Sequence, residues 1–159
     1  MSATSHDEQL STALRERGQR VTSQRLVIHR VLQELGEHAT AETVLAAVAD
    51  RLPGVSLPTV YATLDLLEDL GAVRRVAVPG GPALFDPRTD PHHHMVCSVC
   101  GRTEDVDAEV DLSAAERAAG AAGFDPRHAE VLLRGVCARC AAPAPGATAA
   151  PRAGRRPRS

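Results

Sequence analysis

Along the first half of the chain, apolar residues recur at helical spacing and are interrupted at intervals by Gly, Pro and hydroxylated residues. Asp7 to Arg17 reads as a short helix, with Ser5-x-x-Glu8 in a capping-box pattern and Gly18 as its stop. A second helix follows Val21. Thr22 caps it, Leu26, Val27, Val31, Leu32 and Leu35 form its apolar stripe, and Gly36 ends it. Thr40 caps a third helix with Val44, Leu45 and Val48 inward, stopping before Pro53-Gly54. A fourth opens near Ser56 and Pro58, where Pro is tolerated, and runs through Val60, Leu64 and Leu67 to Gly71. The period then changes. Val73 to Val78, Pro79-Gly80-Gly81-Pro82 and Ala83 to Phe85 predict a two-stranded hairpin.

The second half is patterned differently. Met95 to Cys97 and Arg102 to Val106 read as strand edges, Asp111 to Ala122 as an Ala-rich helix closed by Gly123, and Ala129 to Val136 as a further strand. Beyond Cys140 the chain turns low in complexity and then basic, the composition of a disordered tail. The expectation is an α+β protein in three parts: an N-terminal winged helix-turn-helix domain over 1–84, a small α/β dimerisation domain over 85–141, and a basic tail over 142–159. In a winged helix the fourth helix enters the major groove. Thr59, Tyr61 and Thr63 are then candidate base readers, with Arg74 and Arg75 of the wing on phosphate.

Composition sharpens this picture in two places. Two Phe, one Tyr and no Trp leave a lean core of Leu, Val and Ala, so a small second domain needs a staple. The net charge of -2 argues against a protein that simply coats nucleic acid, yet Arg15, Arg17, Arg20, Arg25 and Arg30 cluster early. Arg20 joins the candidate DNA contacts. No apolar run reaches the length of a membrane span. The polar N-terminus lacks the apolar stretch of a signal peptide, so a cytoplasmic protein with reduced thiols is expected.

The chemistry concentrates at Pro91-His92-His93-His94-Met95-Val96-Cys97-Ser98-Val99-Cys100-Gly101. Imidazoles and thiolates are the ligands first-row transition metals prefer. In Cys97-x-x-Cys100 two sulfurs lie close enough to share an ion, and Cys137-x-x-Cys140 repeats the pair. Cys97, Cys100, Cys137 and Cys140 together read as a tetrathiolate zinc site. Disulfides, a rubredoxin-like iron site and a redox dithiol are the alternatives. His92 and His94 alternate onto one side of an extended segment, and His93 points the other way.

A winged-helix order ahead of His-x-His-x-x-Cys-x-x-Cys-Gly, closed by a second Cys-x-x-Cys, resembles the ferric uptake regulator (Fur) family from Leu14 to Cys140. Arg17 to Arg25 (RGQRVTSQR) is similar to the family's entry to its second helix, and Ser56 to Leu64 (SLPTVYATL) to its recognition helix. Asp90 to Cys97 (DPHHHMVC) looks most like the actinobacterial FurA and catalase-regulator branch.

The resemblance implies a structural zinc on the four cysteines and a regulatory Fe(II) or Mn(II) on His38, Asp86, His92, His94 and Asp105. It also implies a homodimeric, metal-dependent repressor of a palindromic operator on double-stranded DNA. Peroxide, through oxygen added to His38 or His92, or the level of iron itself would be the signal, for genes of oxidative stress or iron homeostasis. Zinc- or nickel-sensing is the variant reading within the class. A metalloenzyme is the reading from another class, and no general base or substrate pocket can be named for it; no enzymatic activity is expected. A zinc-stapled interaction module that does not touch DNA is the third.

Overall fold

The computed structural model describes residues 3–78, 80–126 and 129–141. Four helices open the chain. α1 (Ala3–Glu16) starts earlier than expected, so Ser5 lies inside the helix and cannot cap it. α2 (Ser23–Leu35) is capped by the Thr22 side chain, which accepts the Arg25 N–H, and ends on Gly36 at φ 63°, the left-handed turn that suits glycine. α3 (Ala41–Val48) is capped by Thr40 in the same way. α4 (Leu57–Asp69) is capped by Ser56 and carries Pro in its first turn.

The wing follows as β1 (Arg74–Val76) and β2 (Leu84–Asp86), antiparallel with Arg75 opposite Phe85. Pro79, at the expected turn, lies outside the described residues. The segment between α2 and α3 joins the wing from its other side. Ala39 and Phe85 exchange both backbone hydrogen bonds, at 3.0 and 2.8 Å. Phe85 is fully buried in one core with Leu14, Ile28, Leu32, Val44, Leu64 and Leu67. A boundary after residue 84 would therefore cut β2 and split this core. The wing runs to Asp86, and the second half begins beyond it.

That second half is a three-stranded sheet in the order β4-β3-β5. β3 (His93–Cys97) turns through the first cysteine knuckle into antiparallel β4 (Thr103–Val106). α5 (Ser113–Ala121) then crosses over to β5 (Leu132–Gly135), parallel to β3, and α6 (Ala138–Ala141) follows. Its apolar burial is meagre: among its described hydrophobic side chains only Val96 and Cys97 are buried, and α5 buries none of its described residues. Met95, Leu133 and Val136 are 40, 51 and 52% exposed. So little buried area does not offset the entropy of ordering the chain. Metal and a partner surface are the physical remedies. The tail at 142–159 lies outside the described residues.

Candidate metal centres and nucleic-acid interface

Parallel pairing of β3 with β5 sets Cys97 opposite Gly135, so the second knuckle arrives beside the first. The Ser98 backbone N–H and hydroxyl both donate to the Gly135 carbonyl, at 2.8 and 2.9 Å, and lock the two together. Gly101 closes the first knuckle at φ 73°, donating to the Cys97 carbonyl at 2.9 Å. All four cysteines are free thiols, and their sulfurs lie within 4.8 Å of one another, Cys100 and Cys137 at 3.9 Å. Sulfurs on a tetrahedral zinc stand about 3.8 Å apart. Backbone N–H groups of Cys137, Cys100 and Val99 pull the Cys97 thiol down to about 6. Cys140 is pushed up to about 12 by its hydrogen bonds to Cys100 and Cys137. The donor set fits a structural ion.

The second centre lies where the halves meet, fed by four segments. His38 precedes the Ala39–Phe85 bridge, Asp86 ends β2, His92 and His94 flank the start of β3, and Asp105 sits on β4 opposite His94. One donor atom from each of the five falls within 4.8 Å of all the others. His92 Nε2 is 2.8 Å from Asp86 Oδ2, 3.0 Å from His94 Nε2 and 3.6 Å from Asp105 Oδ1. His38 Nε2 is 3.3 Å from Asp105 Oδ1 and 3.7 Å from Asp86 Oδ2. Five donors about 2.1 Å from a first-row ion stand about 3.0–4.2 Å apart, close to the 2.8–3.7 Å separations here.

The protonation pattern agrees. His92 Nδ1 lies 2.8 Å from the Asp90 carbonyl, which only accepts, so Nδ1 carries a proton and Nε2 is the atom turned toward the centre. Nε2 faces the Asp86 oxygen. His38 Nε2 and Asp86 Oδ2 are buried without a hydrogen-bond partner. Burial, and then the nearby His38, depress the His94 pKa and keep it the neutral ligand form. His93 stands apart, its Nδ1 accepting the Val131 N–H at 3.2 Å.

The predicted DNA contacts divide. Arg20 is exposed, Thr59 and Tyr61 are half-buried on α4, and Ser56, Pro58 and Ala62 are exposed around them. The Tyr61 hydroxyl donates to Glu42 of α3 at 3.1 Å. Thr63 does not fit a reader's role: it is buried, and its hydroxyl bonds the Thr59 carbonyl one turn back. Arg74 turns inward from the wing, donating to Glu130 at 3.0 Å and to the Asp90 carbonyl at 3.2 Å. Arg75 pairs with Asp65 and with Glu68, the latter at 2.8 Å, and lies 5.0 Å from the Phe85 ring centre. It neutralises acids of α4 that would otherwise repel a duplex. Helical spacing alone could not separate Thr63 from Tyr61, and neither wing arginine betrays its partner in sequence. Sequence reasoning also missed Arg88, Asp90 and Glu130. The alternation Asp86-Pro-Arg88-Thr-Asp90 is the one visible signal for the first two, and Glu130 has none.

A helix-turn-helix with a wing, joined through an imidazole–carboxylate centre to a cysteine-stapled sheet, defines a metal-responsive DNA-binding regulator. The comparisons agree. The family model described as "Ferric uptake regulator family" matches residues 16–134. Ferric uptake regulation protein 1 of Mycolicibacterium fortuitum is 43% identical over 122 residues, 75% of this chain and 74% of the relative. The peroxide-responsive repressor PerR of Staphylococcus epidermidis is 30% identical over 133 residues, 84% of this chain and 89% of the relative. A zinc uptake regulator solved with zinc and DNA superposes with a TM-score of 0.65 at 25% identity, covering 88% of this chain and 95% of that one. The chain belongs to the ferric uptake regulator family. It is a metal-responsive transcriptional regulator and not an enzyme.

Proposed function

We propose that the chain is a homodimeric repressor that holds a palindromic operator when the centre between its halves is loaded with Fe(II) or Mn(II). One observation carries this reading. His38 and Asp86 belong to the DNA-binding half, His92, His94 and Asp105 to the other, and their donor atoms converge within 4.8 Å. A cation held by both sets fixes the angle between the halves, and it shifts the population toward the orientation it binds best. Three nitrogens and two oxygens, with no sulfur, suit Fe(II) and Mn(II). Zn(II) on Cys97, Cys100, Cys137 and Cys140 is the structural staple. Exposed Met95 and Leu133, with edge strand β5, support the dimer, and a two-fold protein matches a two-fold site. Thr59 and Tyr61 are the base readers, and Arg20 sits on phosphate.

Iron bound there would supply the redox chemistry that activates peroxide. His38 and His92 are the rings that would take up one peroxide oxygen, the other leaving as water, and a ring so altered would be a poorer ligand, which would release the fixed angle between the halves and lift repression. The free thiols and the DNA partner suit a cytoplasmic protein, and no described helix is long and apolar enough to cross a membrane. The test is operator binding by demetallated, zinc-stapled protein given Fe, Mn, Zn or Ni separately. Binding restored by Fe and Mn is expected. Restoration by Zn or Ni alone would make it a sensor of those metals.

A further inference from the structure

Arg88 lies on the connector between β2 and β3 and belongs to none of the ligands. Its backbone N–H donates to Asp86 Oδ1 at 2.8 Å, leaving Oδ2 to face the histidines. Its guanidinium donates to Asp105 Oδ2 at 3.3 Å, leaving Oδ1 for the centre. The same guanidinium grips Asp90 through Nε and Nη2, the latter at 2.6 Å, and the Asp90 carbonyl fixes the His92 tautomer. Asp107 anchors the fork at 2.7 Å from Nη1. A single residue therefore bears on three of the five donors, and it holds one oxygen of each carboxylate out of the site.

We propose that Arg88 is the positioning residue of the regulatory centre, organising Asp86, Asp105 and His92 into a five-donor set with each carboxylate contributing one oxygen. This rests on the regulatory-metal reading. It runs against simple electrostatics, because a cation beside a metal site repels the metal. Charge alone predicts that losing Arg88 tightens metal binding. Loss of its geometry predicts weakening, since partners of ligand side chains support affinity by about 10- to 100-fold. The two effects differ in sign.

The test is Mn(II) affinity of the full, zinc-loaded chain, measured by chelator competition, for wild type, R88A, R88K, D105N, the R88A/D105N pair and H92A. R88A should bind Mn(II) about 10- to 100-fold more weakly. R88K keeps the charge without the fork and should not recover wild-type affinity. In the D105N background R88A should lose the share of its effect that runs through that carboxylate and keep the share that runs through Asp90 and His92, while the backbone N–H bond to Asp86 persists in every variant. Zinc content and thermal unfolding of R88A report that the fold is intact. Unchanged or tighter Mn(II) binding by R88A, or full additivity with D105N, overturns the proposal. A wild-type chain with no Mn(II) site sensitive to H92A would overturn the regulatory-metal reading itself, and the proposal with it.

Discussion

The guanidinium of Arg74, on the wing, donates to the Glu130 carboxylate of the other half at 3.0 Å, and Glu130 Oε2 lies 3.6 Å from His94 Nδ1. At that distance the Glu130 carboxylate acts on the His94 ring through its charge and not through a hydrogen bond. The wing is thus tied, through one salt bridge, to a carboxylate that lies beside His94.

Arg74→Ala distinguishes a strut from a phosphate contact. As a strut, its loss weakens operator binding by the metal-loaded protein and leaves the salt slope unchanged. A phosphate contact would lower that slope by about one. Titrations of operator DNA at several salt concentrations, with Mn(II) saturating, decide the matter, and a slope reduced by one returns Arg74 to the DNA.

The sulfur cage makes a prediction about folding. The second half buries little besides Val96 and Cys97, so zinc binding energy is most of its folding energy. Cys97 also accepts the Cys137 N–H at 3.3 Å, which couples the knuckles directly. Cys97→Ser, or strong chelation, should abolish the dimer and melt the sheet while α1 to α4 keep their helical circular dichroism. A Cys97→Ser protein that sediments as a dimer and unfolds cooperatively would show that packing, not metal, holds this half.

How much of this was legible beforehand depends on the range of the interaction. Caps at Thr22, Thr40 and Ser56, the stop at Gly36, and the two cysteine knuckles are local, so a few neighbouring residues specify them. His38, Asp86 and Asp105 have no such local mark. Each alone reads as a solvated polar residue, and only the Fur resemblance singled them out. Their convergence needs the Ala39–Phe85 bridge and the pairing of His94 with Asp105, which are long-range facts. The same reason hid the inward turn of Arg74 and the burial of Thr63. Which face of α4 looks inward is decided by the packing of α3 and α2 against it.

His29 gives a pH signature free of the metal ligands. It is 5% exposed, and burial followed by repulsion from His6 lowers its pKa, opposed by the Ala72 backbone and then by Asp7. A lowered value means that the unfolded chain takes up a proton first. Stability is therefore full above the ordinary histidine value of about 6.5 and falls as the pH drops below it toward the folded value. His29→Gln should flatten that acid limb for the α1–α4 half by up to one proton. Parallel limbs for the variant and the zinc-loaded wild type in denaturant titrations would assign the acid loss to other groups.

The last prediction concerns the signal. Asp105 and Asp86 give hard oxygen donors, and the three histidines close the site so that only the His38 side chain, at 6%, keeps any solvent access among the rings. A small neutral oxidant reaches such a site; a bulky one does not. Hydrogen peroxide should therefore release Fe-loaded protein from its operator, with one oxygen atom gained on the peptide carrying His38 or the one carrying His92. The cysteines should remain unmodified, because zinc caps their sulfurs and no thiol chemistry is needed. Mn-loaded protein, whose metal reacts poorly with peroxide, should stay on DNA under the same treatment. Mass spectrometry of both forms after mild peroxide, alongside operator binding, reads these outcomes together. Fe-loaded protein that gains no oxygen on either peptide and keeps its grip on DNA would sink the peroxide mechanism, and it would leave a repressor that follows metal occupancy alone. Release accompanied by disulfides among Cys97, Cys100, Cys137 and Cys140 would move the sensor from the imidazoles to the zinc cage.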